Sequence, residues 1–460
     1  MGKAGRALRK VLESYNISQS LLARELGVER PIVFRWFHER TDPTAERVVE
    51  IVQTLRHINI SAATDFVEAY LGNVTHTTQI NSEQKLPQSE RVNVSILSQV
   101  FHNTTNSYKY LFFLSILDII ARRKFDTLSP ISFREIVVEM LANAWYPHTY
   151  FKLSFGRQDQ VTNKLDSLNL EISGPILKFR DADKKFLRKT LHYQNIDDII
   201  NFISRYVPFR LIRPFFTSET KGLADAKINQ ILVSLTYDKF ELTKPIYCFD
   251  SQKLKNCTAI VLHQDWVEYI AENYSVIRGW VSWKWLCYMQ RCNPNVPAIA
   301  NKLFPPQQRE SLTSQTKFWK LVLENTEAHC IYSNFALNTD NLSLDHYLPW
   351  SFVAHDQLWN LIPTIPSVNS SKSNNIPSVD KYFIKFVELQ HIGLMISSEH
   401  LPERQWNKYI ESYLTDLKIS DQNNLLDLEI LHSAYRNTFL PLLSLATTQG
   451  FMADWSYQNT

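Results

Sequence analysis

The stretch LSLDHYLPWSFVAHDQLWNLIPTIPSVNSSKSNNIP, residues 342–377, constrains the fold more tightly than any other part of the chain. LSLDH is a short apolar run that ends in a carboxylate and an imidazole, and QLWNLIP is a second strand-like run. SVNSSKSN opens a short helix on which Asn369 and Lys372, three residues apart, share one face. A strand, a loop, a second strand and a helix therefore bring four polar residue types toward one place: Asp345, His346, Asn369 and Lys372.

The rest of the chain sets the frame. Its 460 residues are enough for two to four domains, and 44% hydrophobic with 12% aromatic content supplies a sizeable core. The net charge of +3 is nearly balanced, so any basic surface must be local. Five cysteines at irregular spacing read as reduced thiols, the pattern of a cytoplasmic protein. The start, MGKAGRALRK, has charges but no apolar run, so no secretory leader is expected. The longest apolar run, YLFFLSILDIIA at 110–121, contains Asp118 and is too short to span a bilayer; it suits a buried helix. With ten glycines in the chain, nothing matches a phosphate-binding loop or a dinucleotide fingerprint, and no internal repeat is visible.

Periodicity divides the sequence into a mainly α, multidomain (α+β) arrangement. Residues 1–72 read as a five-helix unit, 73–94 as a polar linker and 95–320 as a central mixed helical/β region. Residues 321–378 hold the strand–strand–helix module, and 379–460 read as helices near 380–395, 403–418 and 424–446 that pack on it. In the central region INQILVSLTY, KPIYCF and CTAIVLH read as β-rich runs. Lys152, Arg157, Arg210 and Arg213, interleaved with aromatics, are candidates for a nucleic-acid backbone; an aromatic core with solvated cations is the simpler reading for each one.

Within the first unit, Ser18 is an expected N-cap, Gly27 the turn residue, Val28 a core plug, and ERPIVFRWFHER a helix with Pro31 in its first turn. SQSLLARELGVERPIVFRWFHE at 18–39 resembles the lambda-repressor-like (Xre-type) helix-turn-helix family. The resemblance implies a phosphate contact for Gln19, base or phosphate contacts for Arg30 and Arg35, and core positions for Val33 and Trp36. Glu29 would oppose DNA at the leading edge of the reading helix, and Pro31 is unusual there. The alternative is a dimerisation or scaffold element.

Phosphodiester hydrolysis needs a base for water, a hard cation and a positive group near the phosphate. His346 can be the base, Asp345 and Asn369 can give oxygen ligands to one Mg²⁺ or Mn²⁺, Lys372 can lie beside the phosphate, and Asn360 can tie the loop that holds His346. This constellation resembles the HNH endonuclease family with its ββα-metal fold, and in spacing the HNH domain of RNA-guided type II CRISPR effector nucleases. No other domain of those effectors is visible. Many family members hold this motif with two C-x-x-C pairs on zinc; the matching positions here are Cys330 with Ser333 and Ile365 with Val368. One thiol cannot make a tetrahedral site, so apolar packing is expected in place of structural zinc. His355 is expected at the surface, and Trp350 and Trp359 in the core of the small module.

The resemblances together imply a metal-dependent DNA endonuclease, tethered by its helix-turn-helix, in bacterial defence, restriction or mobile-element biology. The alternative is a DNA-binding transcriptional autoregulator whose nuclease module is silent or partner-gated. DNA is the expected partner, with RNA or a regulatory protein as further candidates, a homodimer as the prior for the repressor-like module, and no membrane.

Overall fold

A computed structural model describes residues 3–71, 86–102, 104–126, 129–170, 181–305 and 311–458, and shows a mainly helical, multidomain chain with small antiparallel sheets. Two compact units emerge, 1–85 and 86–460. In the first, α1 (Lys3–Ser14), α2 (Gln19–Glu25), α3 (Arg30–Phe37), α4 (Ala45–Ile58) and α5 (Ile60–Leu71) enclose Leu8, Leu22, Val33, Ile51, Leu55 and Phe66. Ser18 caps α2, its Oγ accepting from Leu21 N at 3.1 Å, and Gly27 makes the turn to α3 at φ +67°, where a side chain would be strained. Gly5 lets α1 approach α3: a Cβ there would lie 2.7 Å from the Trp36 carbonyl oxygen. Val28 is half-buried against the core.

The second unit starts earlier than the sequence pattern suggested. Leu86 and Val92, at the end of the expected linker, are buried in the central core, and Tyr269 Oη donates to the Pro87 carbonyl at 2.7 Å. Two apolar residues among polar neighbours are enough to dock a segment that has no periodicity of its own. Residues 73–85 of that linker lie outside the described residues.

The apolar run at 110–121 is the buried helix α6 (Tyr108–Arg122), in which every residue from Tyr110 to Ile120 except Asp118 is buried. Asp118 is held by Lys184 Nζ at 2.8 Å, Arg278 Nε at 3.1 Å and Asn143 Nδ2 at 3.2 Å. Burial pushes its carboxyl up, but Lys184 and Arg278 outweigh that and keep it below the usual range. Beside it on α7 (Phe133–Trp145), the fully buried Glu139 takes Arg122 and Lys184 at 2.9 Å and Arg188 at 3.3 Å. A short sheet joins β1 (Ile131–Ser132), β2 (Tyr247–Phe249) and β3 (Ala259–Leu262) in the order β1-β3-β2, with Cys248 opposite Val261. Two of the three β-rich runs are thus strands. The third, INQILVSLTY, lies in α8 (Asp225–Asp238): its buried residues Ile228, Leu232, Val233 and Thr236 recur at helical spacing, and tertiary burial overrides the β-branched composition.

Among the described residues no helix is long and apolar enough to cross a membrane. Lys302, on α9 (Ile299–Leu303), is fully buried; its Nζ has no hydrogen-bond partner and lies 5.3 Å from the centre of the Phe352 ring. Burial alone pulls its ammonium down to about 7. In the unfolded chain Lys302 keeps its ordinary value, so between those limits the unfolded state holds the extra proton and stability rises with pH. Lys302→Met should therefore stabilise the protein at pH 7 by roughly 2–4 kcal/mol, a gain that shrinks toward pH 10, measured by denaturant unfolding at both pH values.

Candidate active site

The site sits on a small ribbon. β4 (Ala328–His329) and β5 (Ala336–Leu337) form one hairpin; β6 (Ser343–His346) pairs antiparallel with β7 (Leu361–Thr364), placing Asp345 opposite Ile362 and His346 opposite Leu361. The short helix α11 (Pro366–Lys372) follows α10 (Trp350–Val353) and β7 and closes over β6. The second strand is shorter than QLWNLIP suggested, because Leu358–Asn360 makes a 3-10 turn before it.

Asp345 and His346 are neighbours on a strand and so face opposite ways. The Asp345 side is closed: Oδ2 accepts from Tyr332 Oη at 2.7 Å, Oδ1 accepts from Lys372 Nζ at 3.0 Å, and the carboxylate is 2% exposed. The fully buried Lys372 also donates to the His346 carbonyl at 2.7 Å. Burial first, and the Asp345 charge second, push the Tyr332 phenol well above its ordinary range, so Tyr332 stays a donor at any working pH. On the other side His346 Nε2 meets Asp356 Oδ1 at 2.8 Å.

Asn360 is fully buried and bridges the loop back to the strand: Leu348 N donates to its Oδ1 at 2.8 Å and its Nδ2 donates to the Leu348 carbonyl at 2.9 Å. Asn369 Nδ2 donates to the Leu344 carbonyl at 3.0 Å and to Ser343 Oγ at 2.9 Å. Helices of the C-terminal region hold the same segment from behind. On α12 (Val379–His400), Gln390 Nε2 donates to the Leu361 carbonyl at 2.8 Å and is itself oriented by Tyr413 Oη at 2.6 Å, from α13 (Glu403–Asp416). On α14 (Leu428–Thr448), Tyr435 Oη donates to the Trp359 carbonyl at 2.8 Å.

Among the described residues no cluster of three or more His, Cys, Asp or Glu side chains could hold a metal ion, so a hard divalent cation here would depend on the oxygens of Asp345 and Asn369 and on water. With Nδ2 committed to the strand, Asn369 presents Oδ1, and each Asp345 oxygen has a lone pair beyond the one it shares with Tyr332 or Lys372. At the four positions weighed above for a structural zinc, Cys330 is buried with its Sγ 3.2 Å from Thr364 Oγ1, Val368 is fully buried in the same core, Ile365 packs against that core and Ser333 is half-buried.

Two placements differ from expectation. His355 is half-buried rather than at the surface, its ring 5.0 Å from that of Trp359. Burial first, then the neighbouring His346, pull it down to about 4 against the opposing pull of Asp416 and Asp356. Trp359 lies in the core around the ribbon, whereas Trp350 packs into the central core with its ring 6.0 Å from Phe151, pinning the module to the region before it. Asp356 and Tyr332 escaped the sequence reading; the carboxylate beside His355, in the loop that Asn360 closes, was the signal for the first, and nothing local marked the second.

In the first unit Arg30 and Arg35 are exposed on α3, Gln19 is half-buried at the start of α2, and Val33 and Trp36 are core. Glu29 is exposed and caps α3 without a side-chain hydrogen bond.

His355 is neutral in the folded protein down to about pH 4 but protonates near 6.5 when unfolded, so its contribution is complete above 6.5 and is lost as the pH falls from there toward 4. The melting temperature should fall between pH 6.5 and 4.5, and His355→Gln should flatten that slope in a pH series of thermal melts.

Residues 330–378 match the family model described as HNH endonuclease, and residues 8–61 match the one described as helix-turn-helix. No curated protein and no solved structure matches the chain. The chain thus carries an HNH endonuclease domain on the β6–β7 ribbon and a helix-turn-helix domain, of the Xre type, in its first unit.

Proposed function

We propose that this protein is a metal-dependent endonuclease that hydrolyses DNA phosphodiester bonds and is tethered to duplex DNA by its helix-turn-helix. The observation that carries the reading is the His346–Asp356 pair at 2.8 Å inside a stretch that matches HNH endonucleases. The Asp356 carboxylate orients the imidazole and stabilises the imidazolium that would form when His346 takes a proton from an attacking water. Asn360 fixes the loop that carries Asp356 relative to β6, and so sets the orientation of the pair. Asp345 and Asn369 would hold one Mg²⁺ or Mn²⁺, which supplies charge to the phosphate and the leaving oxygen. Lys372 would add positive charge beside the phosphate once substrate is in place. Arg30 and Arg35, with Gln19, would contact the duplex. Such a fusion suits restriction, antiviral defence or mobile-element biology in the cytoplasm of a bacterium.

A second reading, a DNA-binding regulator whose nuclease is gated by a partner, has one observation in its favour. The Lys372 ammonium is fully buried on Asp345 and the His346 carbonyl instead of being presented to a phosphate.

Supercoiled plasmid in Mg²⁺, Mn²⁺ or chelator separates the two. The wild type should nick or linearise it only with metal; His346→Ala should lower the rate by at least about 100-fold and Asp356→Asn by roughly 10- to 100-fold, with duplex binding unchanged. Duplex binding without cleavage under every condition would transfer the case to the gated regulator. Arg30→Gln with Arg35→Gln should weaken duplex binding and lower the slope of log affinity against log salt by up to about two, read by fluorescence anisotropy.

A further inference from the structure

The helix Asp181–His192, DADKKFLRKTLH, carries five basic residues, and the fold sorts them into two sets. On its inner side Leu187 and Leu191 are fully buried, Lys184 Nζ meets Asp118 at 2.8 Å and Glu139 at 2.9 Å, and Arg188 meets Glu139 at 3.3 Å. Arg134, from α7, fixes the end of the helix by donating to the His192 and Gln194 carbonyls, each at 2.9 Å. The outer side faces solvent. Lys185, Lys189 and His192 are exposed there, and so are two large rings, Phe186 at 51% and Tyr193 at 77%. Phe186, Lys189 and Tyr193 follow one another at intervals of three and four residues, so ring, ammonium and ring fall along one line of the surface. Between this helix and α7 lies a cleft of about 690 Å³, lined by Arg122, Arg134 and Arg188 as well as the two outer lysines. Its described carboxylates are already met by other cations, Glu135 by Arg123 at 2.6 Å and Glu139 by Arg122 at 2.9 Å.

We propose that this face binds single-stranded nucleic acid, its phosphates running past Lys185 and Lys189 and its bases stacking on Phe186 and Tyr193. Cations alone would draw any polyanion; exposed rings set among them select unpaired bases, because a duplex keeps its base faces stacked inside. A membrane surface fits less well. A helix that lies in lipid needs a free apolar face, and here Leu187 and Leu191 are committed to the protein core. The face is separate from cations that the sequence pattern offered for a backbone: Arg210 and Arg213 line another cavity, and Lys152 holds its ammonium 5.7 Å from the centre of the Phe451 ring. Binding here requires neither His346 nor a metal, so the inference stands apart from the nuclease reading.

The test is fluorescence anisotropy of the full chain with a labelled oligothymidylate, and with a duplex of the same length, in chelator so that cleavage plays no part. Phe186→Ala with Tyr193→Ala should weaken the strand at least about tenfold and leave the duplex unchanged. Lys185→Gln with Lys189→Gln should lower the slope of log affinity against log salt for the strand by roughly 1.4, whereas Lys381→Gln with Lys385→Gln, an equal loss of exposed charge on α12, should leave it unchanged. Oligouridylate measured alongside assigns the face to DNA or RNA by the tighter of the two. Melting curves establish that the variants fold; if the ring variant does not, the lysine variant carries the test. The proposal is overturned by absence of strand binding, or by ring and lysine variants that bind the strand as the wild type does. Equal losses for strand and duplex in the ring variant would overturn it in favour of a duplex contact, and phosphatidylserine vesicles that bind through the same residues would overturn it in favour of a membrane surface.

Discussion

The β6–β7 ribbon is four residues on each side, and two strands of that length do not hold themselves together in water. Everything around the site answers that weakness. Asn360 closes the intervening loop with two hydrogen bonds to one residue, Leu348, and because both groups are buried, loss of either would leave an unpaired polar atom inside the protein. Gln390 and Tyr435, from helices distant in sequence, take the Leu361 and Trp359 carbonyls, and Trp319 Nε1 donates to the Leu361 carbonyl at 3.1 Å. The C-terminal helices are therefore the frame that gives the site its geometry. Trp350 extends the frame into the central core, so the ribbon is braced on two sides.

Buried charge is treated in more than one way in the second unit. Asp118, Glu139 and Asp345 are each met by cations at hydrogen-bonding distance, so their desolvation is offset by direct pairing. Lys302 is met by an aromatic face and apolar walls, and the chain accepts its cost as a depressed ammonium. Natural proteins tolerate such costs where the remaining packing is large, and the continuous central core supplies it here.

Much of this was legible in the sequence where local rules decide. Ser18, Gly27 and Pro31 act at single residues, and each marks its turn or helix end in the fold. The short strand ending in His346 and the helix bearing Asn369 and Lys372 follow from alternation and three-residue spacing. Long-range packing was not legible. INQILVSLTY has strand-like composition but is helical, its buried positions recurring at helical spacing against neighbours such as Tyr247–Phe249 and Val207–Ile212 that the local pattern does not show. Tyr332 lies thirteen residues before Asp345 on a separate hairpin, and only the fold shows that its hydroxyl reaches the carboxylate. Asp356 sat in plain view beside His355, but its value depends on where Asn360 turns the loop.

The central claim is that the His346 imidazole takes the proton in DNA cleavage, and chemical rescue tests it most directly. His346→Gly leaves a space beside Asp356 that free imidazole can enter. Plasmid cleavage by that variant, with metal present, should rise at least about tenfold on addition of imidazole and should saturate with its concentration. A wild type that cuts while the glycine variant stays inactive at every imidazole concentration, or a glycine variant that cuts as fast as the wild type without it, would contradict the account.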